Sequence, residues 1–439
     1  MDSESATVGD TLVARPRVPR RRWRIAMLLG FGVLVNYIDR INLSVAQQAL
    51  RTEFGITTIT FGYLLSAYSW TYALFQLPSG VLLDRFGVRH IGRIGALLWS
   101  VASFAAAVAT GVRGFLAARL LLGVGEAPTF PGNAKAVGYW FPTSERSLAT
   151  AIFDAAAKFS SAIGIPIMGL LLLRFGWRWS FAATGVLSFI YYLLFYRVYR
   201  NPSEDSGLTT KEREFIRAGG AQPESQHAIP ERGASLSYLL RQRKVVGLCL
   251  GFAAYNYCFY FLLTWLPSYF ATSLGLDLLH SAMSASVPWL VATAADLIVG
   301  GWLVDWLIQR GWNPALVRKT VLVIGMSFGV GIIGAARAHT ATTAVFWITF
   351  SLAGLAASAP VAWSVPSLLA PRDSVGRVGG ILNFCSQLAA IAAPIITGYI
   401  AAITHSFRWA FIVPAVFLVL GAGGYAFLLG DMSPIPDES

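Results

Sequence analysis

Charge is what this sequence has least of. Only 13% of its 439 residues are Asp, Glu, Lys or Arg, against roughly a quarter in a typical soluble domain. So little polar surface excludes a disordered chain, a nucleic-acid module and an ordinary soluble enzyme. Cysteine is scarce as well. Cys249, Cys258 and Cys385 lie in apolar runs, odd in number and without metal spacing, so neither a disulfide nor a metal site is expected. No Walker sequence is present, which leaves ATP out of the mechanism. The five histidines fall in loops or at the ends of apolar runs, and no nucleophile–base pair is visible. No enzymatic activity and no cofactor is expected.

Apolar residues make up 55% of the chain, and the mean hydropathy is +0.59. A membrane-crossing helix needs about 20 apolar residues. Twelve such runs are read near 25–46, 61–83, 91–109, 115–138, 148–173, 181–198, 245–270, 283–304, 320–336, 344–367, 378–403 and 410–429. The basic-then-apolar start resembles a signal peptide, but it lacks a small-residue cleavage site, so span one is expected to be retained. The fold class is therefore an all-α membrane protein of twelve transmembrane helices. Its organisation is expected as a disordered tail over 1–19, a six-helix bundle over 20–198, a linker over 199–244, a second six-helix bundle over 245–430 and a tail over 431–439. The linker is polar, and Thr209 to Glu214 reads as the start of a short surface helix.

The net charge of +12 belongs to one face of a membrane rather than to a nucleic-acid partner. With the N-terminus inside, the cytoplasmic segments hold 24 basic residues and the outer loops 6. Both termini are therefore expected in the cytoplasm, and the short outer loops fit a bacterial inner membrane. The halves also echo each other. Gly80, Leu82 and Asp84 close span two as Gly301, Leu303 and Asp305 close span eight, 221 residues later. Arg178, Trp179 and Phe181 open span six as Arg408, Trp409 and Phe411 open span twelve, 230 residues later. Same-direction repeats imply two bundles about an axis along the membrane normal, with a binding site between them near the midplane.

Ionisable side chains in mid-span cost about 2.5–3.5 kcal/mol each on insertion scales and mark function by default. They are Asp39, Arg40, Arg119, Glu126, Asp154, Lys158 and Asp296. Asp39 lies about 20 Å along span one. It is an acid that can take a proton, and Arg40 can hold its charged form or another carboxylate. Arg119 and Glu126, seven apart, project from one face of span four. Arginine suits a carboxylate because its planar fork makes two hydrogen bonds and keeps its charge. Glu126 is either a proton carrier or a partner for Arg119 or Arg40. Asp154 and Lys158 are spaced to pair along span five, or Lys158 serves as a second anion ligand. Asp296 has no cation in its own span, so it stays protonated, pairs across the bundles or binds a substrate hydroxyl. Tyr255, Asn256, Tyr260, Trp363 and Gln387 are further in-span polar or aromatic candidates for the binding site.

Several motifs carry a family resemblance over roughly residues 20 to 430. The run from Gly80 through Leu82, Asp84, Arg85 and Gly87 to Arg89 resembles the loop signature of the major facilitator superfamily. NYIDRINLSVA at 36–46, GVGEAPTFP at 123–131, FPTSER at 141–146, Trp363-Ser364 and LNF at 382–384 are similar to its anion:cation symporter branch, above all to bacterial sugar-acid permeases of the galactonate and glucarate type. The resemblance implies two bundles with alternating access. It implies an organic anion, best a sugar acid (aldonate, aldarate or hexuronate), imported with protons by a gradient-driven monomer. It implies that Arg119 contacts the substrate carboxylate, that Glu126 and Asp39 couple protons with Arg40, and that Asp84, Arg85 and Arg89 gate. It also places Tyr37, Tyr72, Ser364 and Asn383 at the substrate site. Asp154, Lys158 and Asp296 depart from the galactonate-type pattern. Exchange or facilitated passage of an organic anion, and symport of an aromatic or other carboxylate, remain alternatives.

Overall fold

The computed structural model describes residues 19–142, 145–221, 224, 234–371 and 374–438. The tail ahead of residue 19 and the linker position Ser225 lie outside the described residues. Helices are joined by short turns, and no strand occurs among the described residues.

Span one is the helix Arg21–Val45. Thr58–Ala107 runs for 50 residues. At 1.5 Å per residue that is about 75 Å, more than twice a hydrocarbon core of about 30 Å. It divides at Gly87, where φ is 77°, a left-handed value that favours glycine. Spans two and three therefore meet where the loop signature places them. Arg146–Val198 divides in the same way at Gly176, with φ 81°, into spans five and six. Span four, read from sequence as one run, is two helices, Val112–Glu126 and Thr129–Trp140. The break falls at Pro128, which has no N–H to donate.

In the second half, Arg243–Ser273 is span seven. Span eight is Leu278–Ala295, continued by a π-helical stretch Asp296–Leu303 and by Val304–Gln309. Pro314–Gly329, Ala341–Ser364, Val375–Thr404 and Arg408–Gly423 form the bodies of spans nine to twelve. Among the described residues nine helices are long and apolar enough to cross a membrane, and one of them spans 51 residues. The order is consistent with twelve crossings.

The linker docks on the start of span one. Its helix Thr210–Ala218 is capped by the Thr209 side chain. The buried Glu212 carboxylate accepts from the backbone N–H groups of Arg21 and Arg22, at 3.1 Å each. A carboxylate there satisfies orphan donors and meets the positive end of the helix dipole. Arg22 also pairs with Glu145 at 2.6 Å and with Glu212 at 3.0 Å, and Arg21 with Asp205 at 2.9 Å. The Ser235 hydroxyl in turn donates to Glu438 at 2.7 Å, so the linker, the start of span one and residue 438 share one side of the molecule.

The two halves touch on the opposite side. The Ser66 hydroxyl of span two donates to the Ile391 carbonyl of span eleven at 2.9 Å, and Gly62 packs on Pro394 and Ile395. One heptad toward the termini, on the same face of span eleven, Phe384 and Leu388 are 58% and 51% exposed. The bundles therefore meet away from the termini and part toward them.

Candidate functional site

Glycines bring the charged spans together. A Cβ on Gly123 would stand 2.1 Å from the Tyr68 carbonyl, and one on Gly125 2.6 Å from the Trp99 nitrogen. Only a bare backbone allows span four to lie this close to spans two and three. The Thr71 hydroxyl ties the same contact by donating to the Leu120 carbonyl at 2.7 Å. Arg119 and Glu126 are thereby held against span one.

Four mid-span charges converge, but not in the simplest pairs. Arg40 donates through Nε to Glu126 at 2.8 Å, and both are buried. Asp39 is not the partner of its neighbour Arg40. Its two oxygens accept from the hydroxyls of Ser103 at 2.8 Å and Ser188 at 2.7 Å. Arg119 is 2% exposed. It has no carboxylate at ion-pair distance among the described residues, and its closest polar contact is the Asp39 carbonyl at 3.4 Å. Its Nε has no hydrogen-bond partner. A buried guanidinium without an acid is costly unless a ligand supplies one.

Aromatic rings enclose the guanidinium of Arg40. Its centre lies 4.5 Å from the ring of Tyr37, 4.8 Å from Tyr68 and 5.3 Å from Tyr72. Tyr68 also faces Arg119, at 5.3 Å. From the second half, the Tyr260 hydroxyl accepts from Arg40 at 3.4 Å and from Tyr68 at 2.9 Å. Tyr68, Ser103 and Ser188 were not singled out in the sequence. Tyr68 is four residues before Tyr72 and so shares its face, a signal that was available. The two serines carry no such mark, because in-span serines are common helix glue.

A second group joins the halves. Lys158 Nζ lies 3.0 Å from Asp154 of its own span and 2.7 Å from Asp296 of span eight. Lys158 and Asp296 are buried, whereas the Asp154 side chain is 26% exposed. The self-contained Asp154–Lys158 pair is thus a triad, and Asp296 is paired across the bundles. Asp296 opens the π-helical stretch, an element often found at functional positions. Tyr37 is in electrostatic reach of Arg40, Asp154 and Lys158, and Tyr255 of all three triad members and of Tyr37.

The other candidates make mostly local contacts. Asn256 donates to the Phe252 carbonyl one turn back, and Trp363 packs edge-on against Phe252 at 5.2 Å. The Ser364 hydroxyl bonds within its helix to Val361. Asn383 accepts weakly from Ser386 at 3.5 Å, and Gln387 is buried with its Oε1 unpartnered. At the loop signature, Asp84 pairs with Lys135 and Arg89 with Glu204 of the linker. Arg85 lies over the Phe86 ring at 5.2 Å. A cavity of about 320 Å³ lies at the side away from the termini, lined by Gln47, Arg51 and Ser281 among others. The buried unpaired charge is elsewhere, so the charges rather than this cavity locate the site. No cluster of His, Cys, Asp and Glu able to hold a metal occurs among the described residues.

Known proteins resemble the chain over nearly its whole length. The family model of the Major Facilitator Superfamily matches residues 29–394. The uncharacterized transporter YybO of Bacillus subtilis (strain 168) is 39% identical, over 97% of this chain and 98% of that protein. The probable L-galactonate transporter of Escherichia coli (strain K12) is 35% identical, over 98% and 93%. The probable galactarate/D-glucarate transporter GarP of the same organism is 32% identical, over 96% and 98%. Among solved structures, a bacterial homologue of the lysosomal transporter Spinster, inward-facing and unoccupied, superposes with a TM-score of 0.73 at 16% identity, over 93% of this chain and 97% of that one. The D-xylose-proton symporter gives 0.70 at 16% identity, over 93% and 98%. These two share the fold alone. With a helix order consistent with twelve crossings, its intramembrane charges and these full-length relatives, the chain belongs to the Major Facilitator Superfamily and is a multi-pass membrane transporter rather than an enzyme.

Proposed function

We propose that the chain imports a small organic anion, best a sugar acid, by proton symport with alternating access across a bacterial inner membrane. The observation that carries this reading is Arg119, a buried guanidinium with no acid of its own among the described residues, beside the acids Asp39 and Glu126. A substrate carboxylate completes it with two charge-assisted hydrogen bonds. The names of the galactonate and galactarate/D-glucarate relatives support the substrate class.

The proton enters through the same geometry. A carboxylate bound at Arg119 draws off part of the positive field that favours ionised Asp39 and Glu126, so anion binding promotes protonation. By linkage, protonation promotes anion binding to the same extent. The 24-to-6 bias of basic residues supports both termini in the cytoplasm. The parting of the bundles on that side is then an inward-open arrangement, and Asp84, Arg85 and Arg89 stand at its rim as gating groups.

Uptake of labelled galactonate into proteoliposomes tests this, with an imposed pH gradient and in counterflow without one. The parent protein accumulates substrate only with the gradient. Glu126→Gln keeps an oxygen for Arg40, so it still exchanges but no longer accumulates. Asp39→Asn behaves alike, because hydroxyls rather than Arg40 hold that side chain. Accumulation by both variants at the parent level refutes coupling through these acids. Exchange without gradient-driven accumulation in the parent itself makes the protein an exchanger or facilitator.

A further inference from the structure

We infer that the transported anion carries a single carboxylate, and that the Asp154–Lys158–Asp296 triad selects against a second one. The inference rests on the sugar-acid reading above and narrows it to polyhydroxy monocarboxylates.

The charges count out one seat. Arg40 is matched by Glu126 at 2.8 Å. Asp39 is held by two serine hydroxyls and, among the described residues, has no cation at ion-pair distance. Arg119 alone among the mid-span cations lacks an acid partner among the described residues. One unmatched guanidinium seats one carboxylate.

The other end of the aromatic wall has the opposite balance. Lys158 has two carboxylates within 3.0 Å, so the triad is one negative charge in surplus. Tyr37 lies 4.5 Å from the Arg40 guanidinium and edge-on to Phe259, which packs on Tyr255 at 5.8 Å, and Tyr255 is in electrostatic reach of all three triad members. A wall of rings drawn from both halves therefore runs between the two groups. A ligand anchored at Arg119 and reaching past Tyr37 would bring a second carboxylate toward surplus negative charge, where screening by water is weak. Taking Lys158 from Asp296 would leave a buried carboxylate unpaired, which is the costly way to break such a pair. A hydroxyl faces neither penalty. It donates to Asp154, whose side chain is a quarter exposed. Like charges set against a wrong partner are a common source of specificity.

Galactonate and galactarate test this directly, since they differ in having a hydroxymethyl or a carboxylate at the far end. Titration calorimetry on the full-length protein in lipid nanodiscs reads both affinities at one pH. The parent should prefer galactonate by about tenfold or more, the scale at which like-charge juxtaposition discriminates. Asp154→Asn and Asp296→Asn each leave Lys158 with one acid and remove the surplus. In either variant the galactonate-to-galactarate preference should fall by about tenfold, with galactarate gaining. Asp154 is partly exposed and Asn keeps its shape, so that variant folds even if Asp296→Asn does not. Equal or tighter binding of galactarate by the parent overturns the inference and leaves the sugar-acid reading standing. An unchanged preference in Asp154→Asn overturns it too. Binding of neither acid by the parent overturns the sugar-acid reading, and the inference falls with it.

Discussion

Two arginines on facing helices should respond to the same truncation in opposite ways. Arg40 and Arg119 are both buried, at 4% and 2% exposure. Arg40 is the partner of Glu126, which is fully buried. Truncating it to alanine strands that carboxylate, and breaking a buried pair from one side costs about 3–5 kcal/mol. Arg119 has no acid to strand, so Arg119→Ala removes a desolvated cation and should leave the folded protein as stable as the parent or more so. Binding should show the reverse order. Loss of a buried charged partner for the substrate carboxylate costs about 2–5 kcal/mol. At 1.4 kcal/mol per tenfold, that is about 30-fold to about 4,000-fold in affinity. Arg119→Lys should also weaken binding, because the ammonium keeps the charge and loses the planar fork. The assay is thermal unfolding of detergent-purified variants beside galactonate binding in nanodiscs. Arg40→Ala should melt well below the parent and recover most of the loss when combined with Glu126→Gln. Unchanged galactonate affinity in Arg119→Ala refutes the assigned seat. A parent-like melting temperature for Arg40→Ala refutes the pairing argument.

Other perturbations follow from the same contacts. Lys158→Met strands Asp296 and Asp154 and should destabilise by about 3–5 kcal/mol, with rescue by Asp296→Asn in a double-mutant cycle. Gly123→Ala puts a methyl where a carbonyl lies at 2.1 Å, and overpacking of this kind should cost about 1–3 kcal/mol by chemical denaturation. At the mouth away from the termini, hydrogen bonds from Trp177 and Arg178 hold the exposed Glu53 carboxyl below its ordinary value of 4.5. Its contribution is present above that value and disappears as pH falls through the lowered one. The effect should stay under about 1 kcal/mol at so exposed a site, and Glu53→Gln should flatten the acid limb of a melting curve recorded between pH 6 and pH 3. A cysteine placed at Ser225 should resist an impermeant reagent in intact cells and react in inverted vesicles; labelling from outside would reverse the assigned orientation.

How far the sequence reaches depends on whether a feature is periodic or pairwise. Spans are periodic, and the apolar runs located them, including the divisions at Gly87 and Gly176 that the helices themselves blur. The break in span four escaped, because Pro128 inside an apolar run reads equally as a kink or as an end. The convergence of Arg40, Arg119 and Glu126 was visible as a set, since each is an expensive residue in an apolar segment. Which acid meets which base was not, because partners across helices depend on rotation about axes that a sequence leaves free. Asp39 and Arg40 are adjacent in sequence yet point apart, and Arg40 finds its acid 86 residues away. Asp296 looked solitary for the same reason, its cation being on the other bundle.

That last pair bears on how the two bundles communicate. The spans of the second half hold one mid-span ionisable acid or base, Asp296, whereas those of the first half hold six. On the proposed reading anion recognition and proton uptake therefore sit almost wholly on the first half, and the second supplies Tyr255, Tyr260 and a single carboxylate. Alternating access needs the second bundle to respond to what binds on the first, and a ligand shifts that equilibrium only by its differential interaction with the two arrangements. Among the described residues, two polar contacts to charged groups cross near the site, Tyr260 with Arg40 and Asp296 with Lys158, and the Tyr260 hydroxyl also accepts from Tyr68. The first is a hydrogen bond of 3.4 Å to a guanidinium already engaged by Glu126, and it yields easily when Glu126 gains a proton. The second is a buried ion pair that holds only while Asp296 stays ionised. A cycle built on these contacts moves when charge changes around Arg40 and is restrained at Lys158. Removing the restraint with the double variant Lys158→Met, Asp296→Asn should therefore speed galactonate exchange more than it changes galactonate affinity. Counterflow rates set beside calorimetric affinities decide it, and an affinity change with no change in rate would place the triad in binding alone.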